Sequence, residues 1–343
     1  MTSSGSGASA PFRPDRVHPS VDALLAHATE RGPWAKHPDS LSGSPFEYAV
    51  IDGVRHIVKH IGADLDWIMR ALGDGQDGAP PWALVMWRSG LLDALPAEID
   101  HTIVGMAWDA NQLAVLMRDV SDTFLPTDRP IPLDRHHRFL DHMARMHAAF
   151  WGFDDRYGLM PPANRYTGLT PAMSAREAAA GNVTGVPAAV PGGWDALRAA
   201  APAAYELALG LATDPTPLVE ALDETPATLI HGDWKAGNLG SHPDGRTVLV
   251  DWGWPGRAGP CVDLGWYLAV NCDLLPESKE DAAAHLRRCL ERHGVPTGGW
   301  WRRQLDLALV GSFVQLGWSK THDRAELAWW VERVVPVARE LLR

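Results

Sequence analysis

The dominant hydrophobic period of the chain changes near residue 120. Before that point most of the apolar runs are short and strand-like. Residues 48–51 and 54–61 are joined by Asp52-Gly53, a dipeptide suited to the positive φ angles of a two-residue hairpin turn. A second pair, "HTIVGMAW" and "QLAVLMRDV", flanks Asp109-Ala110-Asn111. Beyond residue 120, "LDRHHRFLDHMARMHAAFW" sets Phe139, Leu140, Met143, Met146, His147 and Phe150 on one helical face. Further helical stretches follow at 278–293, 298–319 and 323–342. Strands first and helices second predict an α+β chain with a small β-rich N-lobe and a larger, mainly helical C-lobe.

The spacing predicts a leading helix over 21–28 behind Ser20 as N-cap, and an apolar helical run at 82–95. The expected divisions are a disordered tail at 1–17, an N-lobe at 18–119 and a C-lobe at 120–343. Within the C-lobe, the Pro/Gly/Ala-rich segment 151–193 reads as a variable insert with one short helical stretch, "TPAMSAREAAA", and a helix is expected at 194–211. His136, His137 and His142 fall nearer the polar face of the first long helix and are expected to face solvent. His147, on its apolar face, is expected to be a hydrogen-bonded core residue.

At 343 residues the chain is long enough for two lobes, each with its own core. A net charge of −11 without a long Lys/Arg run argues against a nucleic-acid partner, whose phosphates demand cations. No run reaches the roughly 18 apolar residues of a membrane span. The Ser/Gly/Ala-rich start lacks the basic and apolar regions of a signal peptide, so a cytoplasmic location is the default expectation. Cys261, Cys272 and Cys289 form no CxxC pair; reduced thiols are expected, and no zinc site.

The chemistry concentrates in "HGDWKAGN", residues 231–238. Apolar "TLI" leads into it, "SHPDGR" reads as a turn after it, and the β run "TVLVDWG" places Asp251 just past its apolar end. Two acids and an asparagine are thereby expected to meet at one edge of a short hairpin.

"HGDWKAGN", "VLVDWG" and "GPCVDLGWYLA" together resemble the aminoglycoside phosphotransferase and choline kinase family, whose fold is similar to that of the protein kinases. The resemblance extends to the "YAVIDGVRHIVKHI" hairpin with its lysine and to the "ARMHAAF" helix. It implies a two-lobed protein-kinase-like fold and an ATP- and Mg²⁺-dependent transfer of phosphate to a small-molecule hydroxyl, of an aminoglycoside-like or other antibiotic or metabolite. Choline or a sugar as acceptor, and an inactive ATP-binding module, are the alternatives.

Phosphoryl transfer needs charge neutralisation on the phosphates, a metal bridge, and a carboxylate that aligns the attacking hydroxyl and takes its proton. By resemblance, Asp233 is the catalytic carboxylate and Asn238 and Asp251 are the Mg²⁺ ligands, supplying the hard oxygens that ion prefers. Lys59 is expected on the α- and β-phosphates and Lys235 on the transferring phosphate. Gly43 and Ser44, in "LSGSPFEY", are expected to cover the phosphates, with adenine near Met117 to Val120. Asp263 and His231 are expected to brace the loop. Asp306, Trp318, Asp323 and Glu326 are candidate acceptor contacts. One departure stands out: the family pairs its strand lysine with a glutamate, and "GAPPWALVMWRSGLLD" has none. Either Asp74 or Asp77 replaces it, or Lys59 is held differently.

Overall fold

The computed structural model describes residues 17–35 and 42–342; the expected tail lies outside them except for Val17. The chain enters through β1 (Val17–His18) and α1 (Val21–Leu24), whose N-cap Ser20 accepts from the Ala23 N–H. The expected helix stops there. Residues Ala28–Pro33 form β2, because pairing with β3 (Phe46–Ile51) satisfies their backbone where local helix propensity would not. β3 turns into β4 (Val54–Ile61) through Asp52 at φ 51° and Gly53 at φ 75°, the paired positive angles expected of this hairpin. Then come α2 (Trp67–Leu72), α3 (Trp82–Ser89), β5 (Ile99–Asp100), β6 (Ile103–Asp109) and β7 (Gln112–Arg118). α3 ends short of residue 95 because Gly90, at φ 75°, caps it.

The N-lobe sheet runs β1-β6-β7-β4-β3-β2, antiparallel throughout except for β1 against β6. Side chains alternate across it. Ala49, Val58, Ala107, Ala114 and Leu116 bury one face with Leu24 and Leu25, while Ile61, Met106, Leu113 and Val115 join the main core beneath.

The C-lobe begins with α4 (Leu133–Ala149). The segment expected to be mostly irregular is instead largely helical: α5 (Asn164–Thr167), α6 (Pro171–Ala179) and α7 (Gly185–Ala200). The helix expected at 194–211 is two helices, since Pro202 opens α8 (Pro202–Thr213) at a position where its missing N–H costs nothing. α9 (Thr216–Asp223) and β8 (Thr228–Ile230) follow, then β9 (Leu239–Ser241), β10 (Thr247–Leu249) and β11 (Gly256–Ala258). β10 lies between β9 and β5, and β8 pairs with β11. The chain closes with α10 (Pro260–Val270), α11 (Lys279–Arg292), α12 (Trp301–Leu316) and α13 (Arg324–Leu341). Among the described residues no helix is long and apolar enough to cross a membrane.

The histidines of α4 correct the sequence reading. His136 and His142 are buried, because α4 is covered on its second face by α11 and β10. His136 bonds Tyr267 Oη at 2.8 Å and Glu277 at 3.0 Å, and His142 bonds Thr247 Oγ1 at 2.7 Å. Only His137 keeps partial exposure.

Candidate active site

β8 ends at Ile230 and feeds a buried loop that Asp263, in the first turn of α10, holds from behind. Its Oδ1 accepts the Gly232 N–H at 2.7 Å and its Oδ2 the His231 N–H at 3.0 Å. His147 of α4 contacts the same Oδ2 at 3.0 Å. Burial alone would raise the Asp263 pKa, but this bond and the neighbouring histidines hold it below the usual range. Gly232 must be glycine: its φ is 84°, and a Cβ there would stand 2.2 Å from the Trp254 carbonyl. Burial lowers the His231 pKa, against the opposing charges of Asp263, Asp233 and Asp251; its Nδ1 accepts the Asp233 N–H, and its Nε2 lies 3.1 Å from the Val250 carbonyl. The imidazole thus ties the loop to the strand end that carries Asp251.

Asp233 is 4% exposed, and three donors fix its carboxylate. Trp266 Nε1 reaches Oδ1 at 2.9 Å, while Asn238 Nδ2 and Lys235 Nζ both reach Oδ2 at 2.8 Å. Asn238 spends its amide donor on Asp233, including the backbone carbonyl at 2.9 Å, which leaves its own Oδ1 uncommitted.

Asp251 follows β10 with φ 64°, a left-handed angle that a non-glycine residue adopts at a cost. That angle turns its carboxylate toward β4, where Lys59 Nζ donates to Oδ1 at 2.7 Å. Burial alone would raise the Asp251 pKa; the charges of Lys59 and Lys235 hold it low. This ion pair answers the missing glutamate, for Lys59 is held by Asp251 itself. Asp74 instead accepts the Trp82 N–H at 2.9 Å, and Asp77 sits exposed in a turn.

These side chains line one cavity of about 640 Å³ between the lobes. Lys59, Asp233, Lys235, Asn238 and Asp251 are among its lining residues. Ile57, Val115, Met117 and Val120 line it beside the connection between lobes. Such a volume, apolar with a few convergent polar groups, is that of an ordinary small-molecule site. Asn238, whose Oδ1 has no partner among the described residues, and Asp251 both line this cavity, and their hard oxygen donors fit a Mg²⁺ ion.

Two groups of expected residues are placed elsewhere. Gly43 packs so closely on the Leu65 carbonyl that a Cβ would stand 1.8 Å from it, and Ser44 donates to Asp66 Oδ2 at 2.7 Å. Both anchor their loop to the start of α2; of the described part of that loop, Ser42 and Phe46 line the cavity, and Leu41 lies outside the described residues. The four expected acceptor contacts also miss the cavity. Asp306 pairs with Arg302 one turn away, and Trp318 donates to the Gln315 carbonyl. Asp323 caps α13, while Glu326 accepts from Lys279 and from Trp330 Nε1. Helix capping and ion pairing consumed the acids that looked available.

Three contributions escaped the sequence reading. Trp266 lies three residues after Asp263 on α10, a spacing that puts both on one helical face, so its place beside Asp233 had a signal. Arg165, fully enclosed, donates to the Gly232 and Trp254 carbonyls at 2.9 and 3.0 Å and had none. Burial lowers its pKa, against the opposing influence of Tyr166, Asp263 and Asp233. Arg70 of α2 and Glu177 of α6 form a two-pronged ion pair at 2.6 and 3.0 Å that fastens the N-lobe helix to the insert.

The architecture is the two-lobed protein-kinase-like fold. Solved structures similar to it are those of a microcompartment-associated aminopropanol kinase, at 14% identity over 93% of this chain and 95% of that one, with a TM-score of 0.51, and of choline kinase LicA from Streptococcus pneumoniae, at 11% identity over 93% and 96%, with a TM-score of 0.52. No family model and no curated protein matches the chain. Identities this low speak to the fold.

Proposed function

We propose that the protein is a kinase that moves the γ-phosphate of ATP to a hydroxyl group of a small molecule. The observation that carries this reading is the meeting of Asp233, Asn238, Asp251 and Lys59 on one inter-lobe cavity, within a fold similar to two kinases of small alcohols. Asp233, oriented by Trp266 and Asn238, is the group that aligns the attacking hydroxyl and accepts its proton. A positioned carboxylate of this kind contributes about 10²- to 10⁴-fold in rate.

Lys59, rigid on β4, presents a fixed positive charge to phosphate oxygens, and Lys235 presents another beside Asp233. Asn238 and Asp251 would hold Mg²⁺, which would supply charge neutralisation for the triphosphate. Met117 and Val120, which line the cavity at the inter-lobe connection, would hold the adenine. The short path from Asp251 to α10 leaves no long segment to position a peptide, which favours a small acceptor over a protein.

Calorimetric titration with ATP at fixed Mg²⁺, followed by ADP release with hydroxylated acceptors, tests the reading. Absence of nucleotide binding would end it. Nucleotide binding without turnover of any acceptor would support an inactive binding module instead.

A further inference from the structure

Part of the cavity lining, contributed by α2, its flanking residues and Trp254, has a composition of its own. Trp266, which donates to Asp233, meets Trp254 edge-to-face at 5.1 Å. Trp254 in turn packs with Ile68 against the small cluster of Leu72, Trp82 and Met160. Ile68, Met69, Leu72, Pro81 and Trp254 all line the cavity, together with the acids Asp66 and Asp74.

We propose that the acceptor is an uncharged alcohol with an apolar body, seated between Trp254 and α2 with Asp74 as its hydrogen-bonding anchor, and not a polycationic aminosugar. This rests on the kinase reading of the same cavity. A polycation needs several uncommitted carboxylates, and the described residues of the lining do not offer them. Among those residues are four carboxylates (Asp66, Asp74, Asp233, Asp251) and three cations (Lys59, Arg118, Lys235). Lys59 holds Asp251 and Lys235 holds Asp233, while Arg118 is taken by Asp100 outside the cavity. Asp66 is spent on the Ser44 hydroxyl and the Ile68 N–H.

That leaves Asp74, 5% exposed, which accepts from the backbone N–H groups of Gly75 and Trp82 and pairs with no cation among the described residues. Burial, reinforced by Asp66, pushes its pKa up to about 7. A carboxyl so placed shares its proton with a neutral partner instead of presenting a lasting charge, whereas an ammonium would find a single half-ionised acid among apolar walls. The wall itself rewards apolar surface removed from water. α5 and α6 back this part of the lining: Asn164 donates to the Leu72 carbonyl at 2.7 Å, and Arg70 is clamped to Glu177. An acceptor held there is compact and largely desolvated.

The test is ADP release at saturating Mg-ATP with two acceptor panels. One contains neutral alcohols (hydroxysteroids, hydroxylated macrolactones, alicyclic diols); the other contains kanamycin, neomycin and choline. At least one neutral alcohol is expected to raise ADP release tenfold or more over the acceptor-free rate, with no cation doing so. Trp254→Ala and Asp74→Ala should each raise that alcohol's KM at least tenfold while the KM for ATP changes less than twofold, which also certifies folding. A higher kcat/KM for any cation, no response to the neutral panel, or an unmoved acceptor KM in both variants overturns the proposal. Calorimetry separates this from the underlying reading: a protein that fails to bind Mg-ATP refutes the kinase, whereas Mg-ATP binding with aminoglycoside turnover refutes the acceptor class alone.

Discussion

Lys59 and Asp251 lie 192 positions apart in the chain and 2.7 Å apart in space, with an ammonium from the N-lobe sheet resting on a carboxylate of the C-lobe. The pair closes the charge of the site without the glutamate that the family resemblance led one to expect. It also makes Asp251 answerable for two things at once.

Asp251→Ala is therefore expected to weaken Mg-ATP binding at least about tenfold and to remove the dependence of nucleotide affinity on Mg²⁺. It also strands Lys59, whose side chain is 10% exposed, at a cost of roughly 1–3 kcal/mol once the partial exposure of Asp251 is allowed for. Calorimetry and urea melts read the two effects separately. An unchanged Mg²⁺ dependence would remove Asp251 from the metal site.

Asp233→Asn keeps the shape of the side chain and takes away its basicity. Nucleotide affinity should stay within about twofold while kcat falls by at least about 10²-fold. Steady-state kinetics against a direct binding measurement would expose the opposite outcome, normal turnover, as incompatible with proton acceptance at this residue.

Trp266→Phe leaves the ring in the α10 core and deletes one donor to Asp233. The expected loss is about tenfold in kcat with little change in the KM for ATP, since an indole N–H to a carboxylate is worth roughly 1–3 kcal/mol. Because Trp266 acts through Asp233, its substitution should cost almost nothing further in the Asp233→Asn background, and a full additional loss there would contradict the coupling.

Asp74 gives a prediction about pH. Its pKa is about 7 in the folded chain against an ordinary 3.8, so between these values the folded state binds more protons than the unfolded one. Stability contributed by this residue is then greatest near pH 4 and declines as pH rises to about 7, beyond which the full penalty stands. Asp74→Asn should accordingly gain stability over the parent at pH 8, by up to about 4 kcal/mol, and little at pH 4. Denaturant melts at the two pH values decide it, and an equal difference at both would show that Asp74 does not titrate in this window.

What could be read in advance follows from how local each signal is. The β3–β4 hairpin was legible because Asp52-Gly53 and the flanking apolar runs carry their own turn and period. The gathering of Asp233, Asn238 and Asp251 was legible because a short loop and the end of the next strand pair place them. β2 was not: "ATERGP" has no alternation, and only its partner β3 makes it a strand. The misassigned acceptor residues show the same limit. Asp323 and Glu326 look like free acids in a linear chain, and only packing brings the N–H groups and the lysine that occupy them.

Arg165 belongs to the stretch that an engineer would first exchange in order to retarget a chain of the proposed activity. Its guanidinium is at the same time a strut under Gly232 and Trp254. Trading that stretch wholesale would pull the keystone from beneath the reacting centre, so new selectivity has to be grafted around residue 165 and not across it.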